Sequence, residues 1–262
     1  MTSFENKTVL ITGAAGGIGT EMCKQFAAAG AKIAALDRDD TVISLAEEMR
    51  QAGHVVAASK ADISNAEQTS DAILALREEL GPIHILINNA GYSGASIMED
   101  TNDDIWVSDL NGNLNGAYFC TRNVIEDMKT MDGSAIVNIS SVNGLAALGD
   151  PAYSAAKAGI ISLTKSTALE YGRYGIRANV ICPGTVRTPI WDHRIARNPE
   201  ILEQLMKWYP LRRVADPIDI VRTAMFLASD DAAAITGAVL PVDCGLSAGN
   251  LVMTREITLS DM

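Results

Sequence analysis

The sequence predicts an α/β protein with one doubly wound domain, in which a seven-stranded parallel sheet is covered by helices on both faces. Short β-branched runs alternate with longer amphipathic segments, which is typical of parallel strands joined by right-handed crossovers. The predicted strands are Thr8–Thr12, Lys32–Asp37, Val55–Lys60, Ile83–Asn88, Ala135–Ser140, Arg177–Ile181 and Ala238–Val242. The predicted helices include Ile18–Ala29, Val42–Gln51, Ala66–Glu79 and Tyr153–Tyr171. We find no linker, low-complexity stretch or internal repeat, so we expect residues 1–262 to form a single domain.

Composition and charge exclude several classes of function. Hydrophobic residues make up 48% of the chain and the net charge is -11. Binding to nucleic acid or to anionic membranes needs a basic surface, so we expect neither partner. No apolar run reaches the ~18 residues that span a bilayer, and we expect no signal peptide. Widely spaced cysteines predict no metal site and a reduced, cytoplasmic protein: Cys23, Cys120, Cys182 and Cys244.

The first predicted strand runs into a glycine-rich turn, TGAAGGIG, and a helix follows. Glycines let the backbone approach a pyrophosphate, and the helix N-terminus offers free N–H groups and positive partial charge. The spacing GxxxGxG differs from the commoner GxGxxG, so a turn without a ligand is the alternative. The strand–turn–helix context favours a dinucleotide site. The predicted contacts are Gly13, Ala15, Gly17, Ile18 and Gly19.

Acidic and amide residues end the next three predicted strands. Asp37 can accept hydrogen bonds from the adenosine ribose and would repel a 2′-phosphate, which favours NAD over NADP; the alternative is a helix N-cap. Arg38 could pair with a phosphate, but it lies among acidic neighbours. Asp62 and Ile63 are placed to meet adenine, although capping of the next helix fits Asp62 equally well. Asn89 follows the fourth strand and is predicted to line the adenosine half, with a plain turn as the alternative.

Tyr153 and Lys157 are four residues apart on a predicted helix, so they share one face. A nearby ammonium is expected to lower a phenol pKa that is ordinarily about 10, which would make Tyr153 an acid/base. Such pairs also arise by chance on solvated helices. Two serines, Ser140 and Ser141, end the fifth strand, where a hydroxyl can polarise a substrate oxygen or merely form a turn.

Together these motifs resemble the short-chain dehydrogenase/reductase family over nearly the whole chain. The resemblance rests, in family order, on TGAAGGIG, Asp37, Asp62, NNAG, NLNG, SSVNG, YSAAK and CPGTVRTP. It implies a Rossmann fold, an NAD-dependent oxidoreductase, a homotetramer and a Ser–Tyr–Lys–Asn tetrad around the nicotinamide. The ending VDCG departs from the family's VDGG, because Cys244 replaces a glycine there.

Carried over by position, the resemblance makes Tyr153 the acid/base and Lys157 its partner, which also binds the nicotinamide ribose. It implies that Asn113 holds the water molecule of a proton relay. The alternative is a simple helix defect, because Asn111-Gly112-Asn113 has low helix propensity. The family's usual spacing between its serine and its tyrosine corresponds to Ser140, whereas the family's S-x-x-G pattern begins at Ser141. We assign Ser141, because the strand end fixes the motif whereas loop length varies.

The resemblance also assigns Val186 and Thr188 to the nicotinamide carboxamide and the phosphates, with a plain proline turn as the alternative. The irregular segment at about 188–213 is longer than an ordinary connection and is predicted to be a substrate lid. Its His193 and Arg194 suit an anionic or sugar-like substrate, although they fit lid packing or solvent exposure equally well.

The sequence therefore predicts an NAD-dependent dehydrogenase that transfers hydride between NAD(H) and the CH–OH or carbonyl group of a small substrate. A sugar, a sugar acid or a polyol is the expected substrate. One alternative is an NADPH-dependent carbonyl or 3-oxoacyl reductase. An alternative of another class is a non-catalytic dinucleotide-binding regulator with the same fold.

Overall fold

The computed structural model describes residues 3–260, and these contain one sheet of seven strands that all run parallel. The strands are β1 (Thr8–Thr12), β2 (Lys32–Asp37), β3 (Val56–Lys60), β4 (Ile85–Asn88), β5 (Ala135–Ile139), β6 (Arg177–Pro183) and β7 (Val239–Val242). Their order is β3-β2-β1-β4-β5-β6-β7, which confirms the predicted doubly wound Rossmann fold. The order reverses between β1 and β4, so a ligand cleft opens at their carboxyl ends.

Helices cover both faces of this sheet. They are α1 (Gly17–Ala28), α2 (Thr41–Gln51), α3 (Ala66–Leu80), α4 (Asp103–Leu110), α5 (Gly116–Met128), α6 (Pro151–Tyr171), α7 (Asp192–Arg197), α8 (Ile201–Leu205), α9 (Pro217–Ala228) and α10 (Leu251–Thr258). Alternate residues of β1 enter the two apolar cores: Val9 and Ile11 pack with α1, α2 and α9, whereas Leu10 packs with α3 and α5. Both faces of the strand are therefore buried, as its continuous apolar sequence requires.

A π-helical turn, Asn111–Asn115, separates α4 from α5. The poor helix propensity of this stretch predicted a defect, and the structure shows one. A Cβ at Gly112 would collide with the ring of Tyr92, so the glycine lets that ring pack against the turn. π-Helical turns occur frequently at functional sites, and this one carries Asn113 into the protein interior.

The segment 188–213 consists of short helices rather than one regular element. Single turns at Pro189–Trp191 and Met206–Trp208 flank α7 and α8. Leu202 and Tyr209 are buried and attach the segment to the body of the protein. Among the described helices, none is both long enough and apolar enough to cross a membrane.

Candidate active site

The carboxyl ends of β1, β2 and β4 enclose a cavity of about 470 Å³ next to the N-terminus of α1. Gly16 is the N-cap residue of this helix, and no side chain bonds the N–H groups of the first turn. That turn also carries no acidic residue. Uncapped N–H groups with positive partial charge are suited to an anion. The cavity therefore fits the pyrophosphate of a dinucleotide at this helix end.

Close packing explains two glycines, one in the turn before α1 and one at the first position of α1. Gly13 has a φ of 63°, and a Cβ there would lie 2.8 Å from Ala90 Cα. A Cβ at Gly17 would lie 2.9 Å from Thr188 Cβ, so Thr188 packs directly on the glycine-rich turn. Each glycine thus admits a neighbouring segment, and Thr188 is among the residues that line the cavity.

Asp37 ends β2 with its carboxylate held from two sides. Its Oδ2 accepts a hydrogen bond from Ala15 N at 2.9 Å and its Oδ1 accepts one from Asp39 N at 3.0 Å. The N-cap of α2 is Asp40, so the alternative role of Asp37 as a cap is wrong. Arg38 also lines this cavity, and its guanidinium carbon lies 4.6 Å from the centroid of the Tyr92 ring.

Asp62, Ile63 and Asn89 also line this cavity. Asp62 Oδ1 accepts a hydrogen bond from the backbone of the next turn, whereas Asn65 caps α3. The Asn89 side chain donates to the carbonyl oxygens of Thr12 and Gly13, at 3.0 and 3.1 Å. Asn89 therefore holds the glycine-rich turn in place, which its position in a predicted turn did not reveal.

A second cavity of about 1110 Å³ continues from the first toward the lid segment. It is bordered by Ser141, Tyr153 and Lys157 on one side and by the segment 188–213 on the other. The residues common to both cavities are Ile18, Asn89, Gly91, Tyr92, Thr188 and Ile190. A dinucleotide that enters the first cavity can therefore present its far end to the second.

The two candidate serines have different neighbours. Ser141 Oγ accepts a hydrogen bond from Asn143 N at 3.1 Å, and its interaction with the Tyr153 phenol offsets part of the rise that burial causes in the pKa of Tyr153. Ser140 is buried and its Oγ donates to the backbone oxygen of Lys157 at 2.8 Å. The structure thus brings Ser141 to the tyrosine and uses Ser140 to tie β5 to α6.

Burial controls the protonation of the tyrosine and lysine. Loss of solvent raises the pKa of Tyr153 to about 12, and the negative charge of Asp150 adds to this rise. Burial lowers the pKa of Lys157 to about 8. The lysine Nζ lies 5.3 Å from the Tyr153 ring centroid and donates to Ile139 O at 3.0 Å. The expectation that Lys157 lowers the pKa of Tyr153 is therefore wrong for the protein by itself, because desolvation dominates.

Asn113 lies in the interior with only 1% of its surface exposed. Its Nδ2 donates to Tyr92 O and to Asp109 O, both at 2.8 Å, whereas its Oδ1 has no protein partner among the described residues. A Cβ at Gly91 would lie 2.6 Å from this oxygen and 2.8 Å from Lys157 Nζ. An acceptor and a donor thus face the same space beside Gly91.

The remaining predicted residues line the second cavity. Val186 pairs with Ala215 in an isolated parallel bridge, which fixes the chain before the lid segment. His193 and Arg194 lie on α7, and the Arg194 guanidinium carbon is 4.8 Å from the centroid of the Trp191 ring. Both side chains border the cavity and remain exposed.

Three residues of the site were not predicted from the sequence. Tyr92 lines both cavities, Asp109 binds Gly94 N through both carboxylate oxygens, and Asp150 precedes the helix of Tyr153. Only Asp150 has a visible signal, because Gly149-Asp150-Pro151 predicts a turn directly before the helix. The other two depend on contacts between distant segments.

Fold and site together define an oxidoreductase that binds a dinucleotide. A family model described as Enoyl-(Acyl carrier protein) reductase matches residues 13–247. The chain belongs to the short-chain dehydrogenase/reductase family, as its motifs predicted. Membership in this family implies a nicotinamide dinucleotide cofactor.

Relatives and solved structures match the chain over almost its whole length. An uncharacterized oxidoreductase of Schizosaccharomyces pombe is 43% identical and covers 97% of this chain and 96% of its own. A crystal structure of a family member from Burkholderia thailandensis has a TM-score of 0.91 and 47% identity, over 97% of this chain and 98% of that one. The aldohexose dehydrogenase of Thermoplasma acidophilum has a TM-score of 0.84 and 30% identity, over 94% and 95%.

Proposed function

We propose that this protein is an NAD-dependent dehydrogenase that acts on the CH–OH or carbonyl group of a small substrate, with a sugar, sugar acid or polyol as the substrate class. The observation that carries the proposal is the placement of Ser141 beside the Tyr153 phenol, with buried Lys157 one helical turn further on. These groups lie where the dinucleotide cavity meets the larger cavity. A non-catalytic dinucleotide-binding protein has no need for this arrangement.

The reacting groups follow from these positions. When bound, an oxidised nicotinamide supplies a hydride acceptor and a positive charge, which offsets the burial that raises the pKa of Tyr153. Ser141 Oγ then holds the substrate oxygen, while Tyr153 Oη takes its proton as the general base. In the reducing direction, Tyr153 returns that proton to the carbonyl oxygen.

We further propose that the proton leaves the site past Lys157 and Asn113. Lys157 has a pKa lowered to about 8, so it can release and regain a proton near neutral pH. Asn113 Oδ1 is a buried acceptor that faces the same space as Lys157 Nζ. A water molecule there would have the polar partners that a buried water needs.

The preference for NAD is supported by the position of Asp37. The Asp37 carboxylate lines the cavity and is fixed by Ala15 N and Asp39 N, so it cannot withdraw easily from a 2′-phosphate. Arg38 lines the same cavity and could bind such a phosphate, but its guanidinium is already in contact with the Tyr92 ring. We therefore expect NADH to bind more tightly than NADPH.

Other parts of the proposal concern the whole chain. Residues 1–262 form one domain, with the segment 188–213 as a lid over the substrate, and residues 1–2 and 261–262 lie outside the described structure. A cytoplasmic homotetramer is the expected assembly. The edge strand β7, with Leu240 37% exposed, supports association through this edge. Light scattering of the purified protein tests the assembly.

The substrate class is supported by the lid and by one neighbour. Trp191 and Trp208 line the larger cavity, and aromatic faces are suited to sugar rings. His193 and Arg194 add donors for an acidic group at the lid end. The structural neighbour from Thermoplasma acidophilum is named an aldohexose dehydrogenase.

The deciding experiment combines binding and turnover. Titrations of NADH and NADPH, followed by fluorescence, are expected to show tighter binding of NADH. A panel of sugars, sugar acids, polyols and hydroxy acids with NAD is then read by NADH absorbance. Tight NADPH binding with turnover of carbonyl substrates would favour the NADPH-dependent reductase, and binding without any turnover would favour the regulator.

A further inference from the structure

Asp150 lies three residues before Tyr153, at the N-cap of α6, and has a left-handed backbone with φ 48° and ψ 66°. Few residues other than glycine tolerate this region, and Asp and Asn are among those that do. Two contacts hold the residue there: Ser93 Oγ donates to its Oδ1 at 2.9 Å, and its own N donates to Ser96 O at 3.0 Å. The carboxylate is therefore fixed on the wall of the larger cavity.

The Asp150 carboxylate acts electrostatically on the reacting group. Its negative charge contributes to the raised pKa of Tyr153 and also to the raised pKa of Asp109. Two basic groups of this cavity, His193 and Arg194, belong to the lid segment, and Lys157 follows Tyr153 on α6. The cavity thus has an anionic group at the start of the helix of Tyr153 and exposed cationic side chains on the lid.

We propose that Asp150 determines substrate specificity by accepting a hydrogen bond from a hydroxyl on the carbon next to the reacting carbon. This inference rests on the proposed dehydrogenase function. An ionised carboxylate can only accept hydrogen bonds, so it favours a hydroxyl and disfavours a second carboxylate at the same place. The substrate is then a vicinal diol, as in a sugar or polyol, with any acidic group at the lid end.

The proposal separates two compounds with the same carbon skeleton. In 1,2-propanediol the carbon next to the secondary alcohol carries a hydroxyl, whereas in lactate it is a carboxylate. We expect the wild-type protein to favour the diol in kcat/KM. If either compound reacts too slowly, its inhibition constant against the best polyol of the panel gives the same comparison.

Asp150→Asn is the informative variant, because asparagine tolerates the left-handed backbone and can still accept a hydrogen bond from Ser93. We expect it to lower the preference for the diol over lactate by at least about 10-fold. Asp132→Asn, which neutralises an exposed carboxylate just before the amino end of β5, is the charge-matched control. It is expected to leave the preference unchanged.

The possible outcomes distinguish this inference from the proposed function. An unchanged preference in folded Asp150→Asn, with turnover retained, overturns the role of Asp150 alone, whereas no turnover by the wild-type protein on any substrate overturns the dehydrogenase. If the role of Asp150 were purely structural, Asp150→Asn would lower kcat/KM equally for both compounds. If Asp150→Asn melts early, Asp150→Gly fits the same backbone and must show the same loss of preference.

Discussion

Asn113 Oδ1 and Lys157 Nζ converge on one point beside Gly91, where a Cβ would lie 2.6 Å from the oxygen and 2.8 Å from the nitrogen. The π-helical turn brings the asparagine there, and α6 brings the lysine. Both side chains are almost fully buried. Their convergence therefore depends on the absence of a side chain at residue 91.

Gly91→Ala tests the proposed proton relay. The methyl group would occupy the space between Asn113 and Lys157, so we expect kcat to fall by about 10²-fold, as when proton transfer is impaired. Steady-state kinetics measure the loss. Gly172→Ala is the control, because a Cβ there meets no atom within 4 Å. Equal kinetics of the two variants would contradict the relay.

Tyr153→Phe removes the proposed acid/base while the ring remains. We expect kcat to fall by about 10³-fold or more, and the dissociation constant of NADH to change little. Stopped-flow turnover and fluorescence titration measure the two quantities. If more than a few per cent of the activity remains, Tyr153 is not the acid/base.

The two serines are expected to respond differently to alanine. Ser141→Ala removes the hydroxyl beside the Tyr153 phenol, so kcat should fall by about 10²-fold, with a loss of about 1 kcal/mol of stability from the lost cap on Asn143 N. Ser140→Ala removes a buried hydrogen bond to Lys157 O and should cost about 1 kcal/mol of unfolding free energy. Kinetics and denaturant unfolding of both variants decide the assignment, and the reverse pattern would return the catalytic role to Ser140.

Strands and long helices could be predicted because their apolar periodicity is strong. The predicted bounds of β1 and β2 agree with the structure, whereas β4 begins at Ile85 rather than Ile83, because a continuous apolar run does not show where pairing starts. The backbone conformation at Cys244, which replaces a glycine of the family pattern, could not be predicted from the sequence. The structure gives it a φ of 54°, so it adopts the left-handed conformation that a glycine would favour there.

The electrostatics of the site could not be predicted from spacing. The spacing of four between Tyr153 and Lys157 predicts a shared helical face, but it does not reveal that burial dominates both pKa values. The choice between Ser140 and Ser141 also depends on which hydroxyl meets the Tyr153 side chain and which bonds the backbone of α6. The position of Asp150 depends on Ser93 and Ser96, which a distant segment supplies.

Asp37→Ser tests the cofactor preference. Loss of the carboxylate removes an acceptor for the ribose hydroxyls and the repulsion of a 2′-phosphate, so NADH should bind about 10-fold more weakly and NADPH more tightly. Fluorescence titration measures both dissociation constants. Asp40→Ser, at the N-cap of α2, is a control for a nearby lost carboxylate. A wild-type protein that already prefers NADPH would refute the NAD assignment.

Lys157→Met should make the protein inactive but more stable near neutral pH. Burial lowers the pKa of Lys157 from 10.5 to about 8, so the charged form is disfavoured in the folded state. Below pH 8 this penalty is present in full. After allowance for the lost hydrogen bond to Ile139 O, the variant should gain about 2 kcal/mol of unfolding free energy at pH 7.

The pH dependence gives this prediction its sign. Between pH 8 and 10.5 the unfolded wild-type chain binds one more proton at Lys157 than the folded chain, so wild-type stability rises through this window. The advantage of Lys157→Met should therefore shrink from pH 8 upward and reverse before pH 10.5, where only the cost of the lost hydrogen bond, about 1 kcal/mol, remains. Denaturant unfolding at several pH values measures it, with Lys165→Met on the exposed side of α6 as the control. If the difference in unfolding free energy between Lys157→Met and the wild-type protein stays constant with pH, it arises from a change in packing rather than from the buried charge.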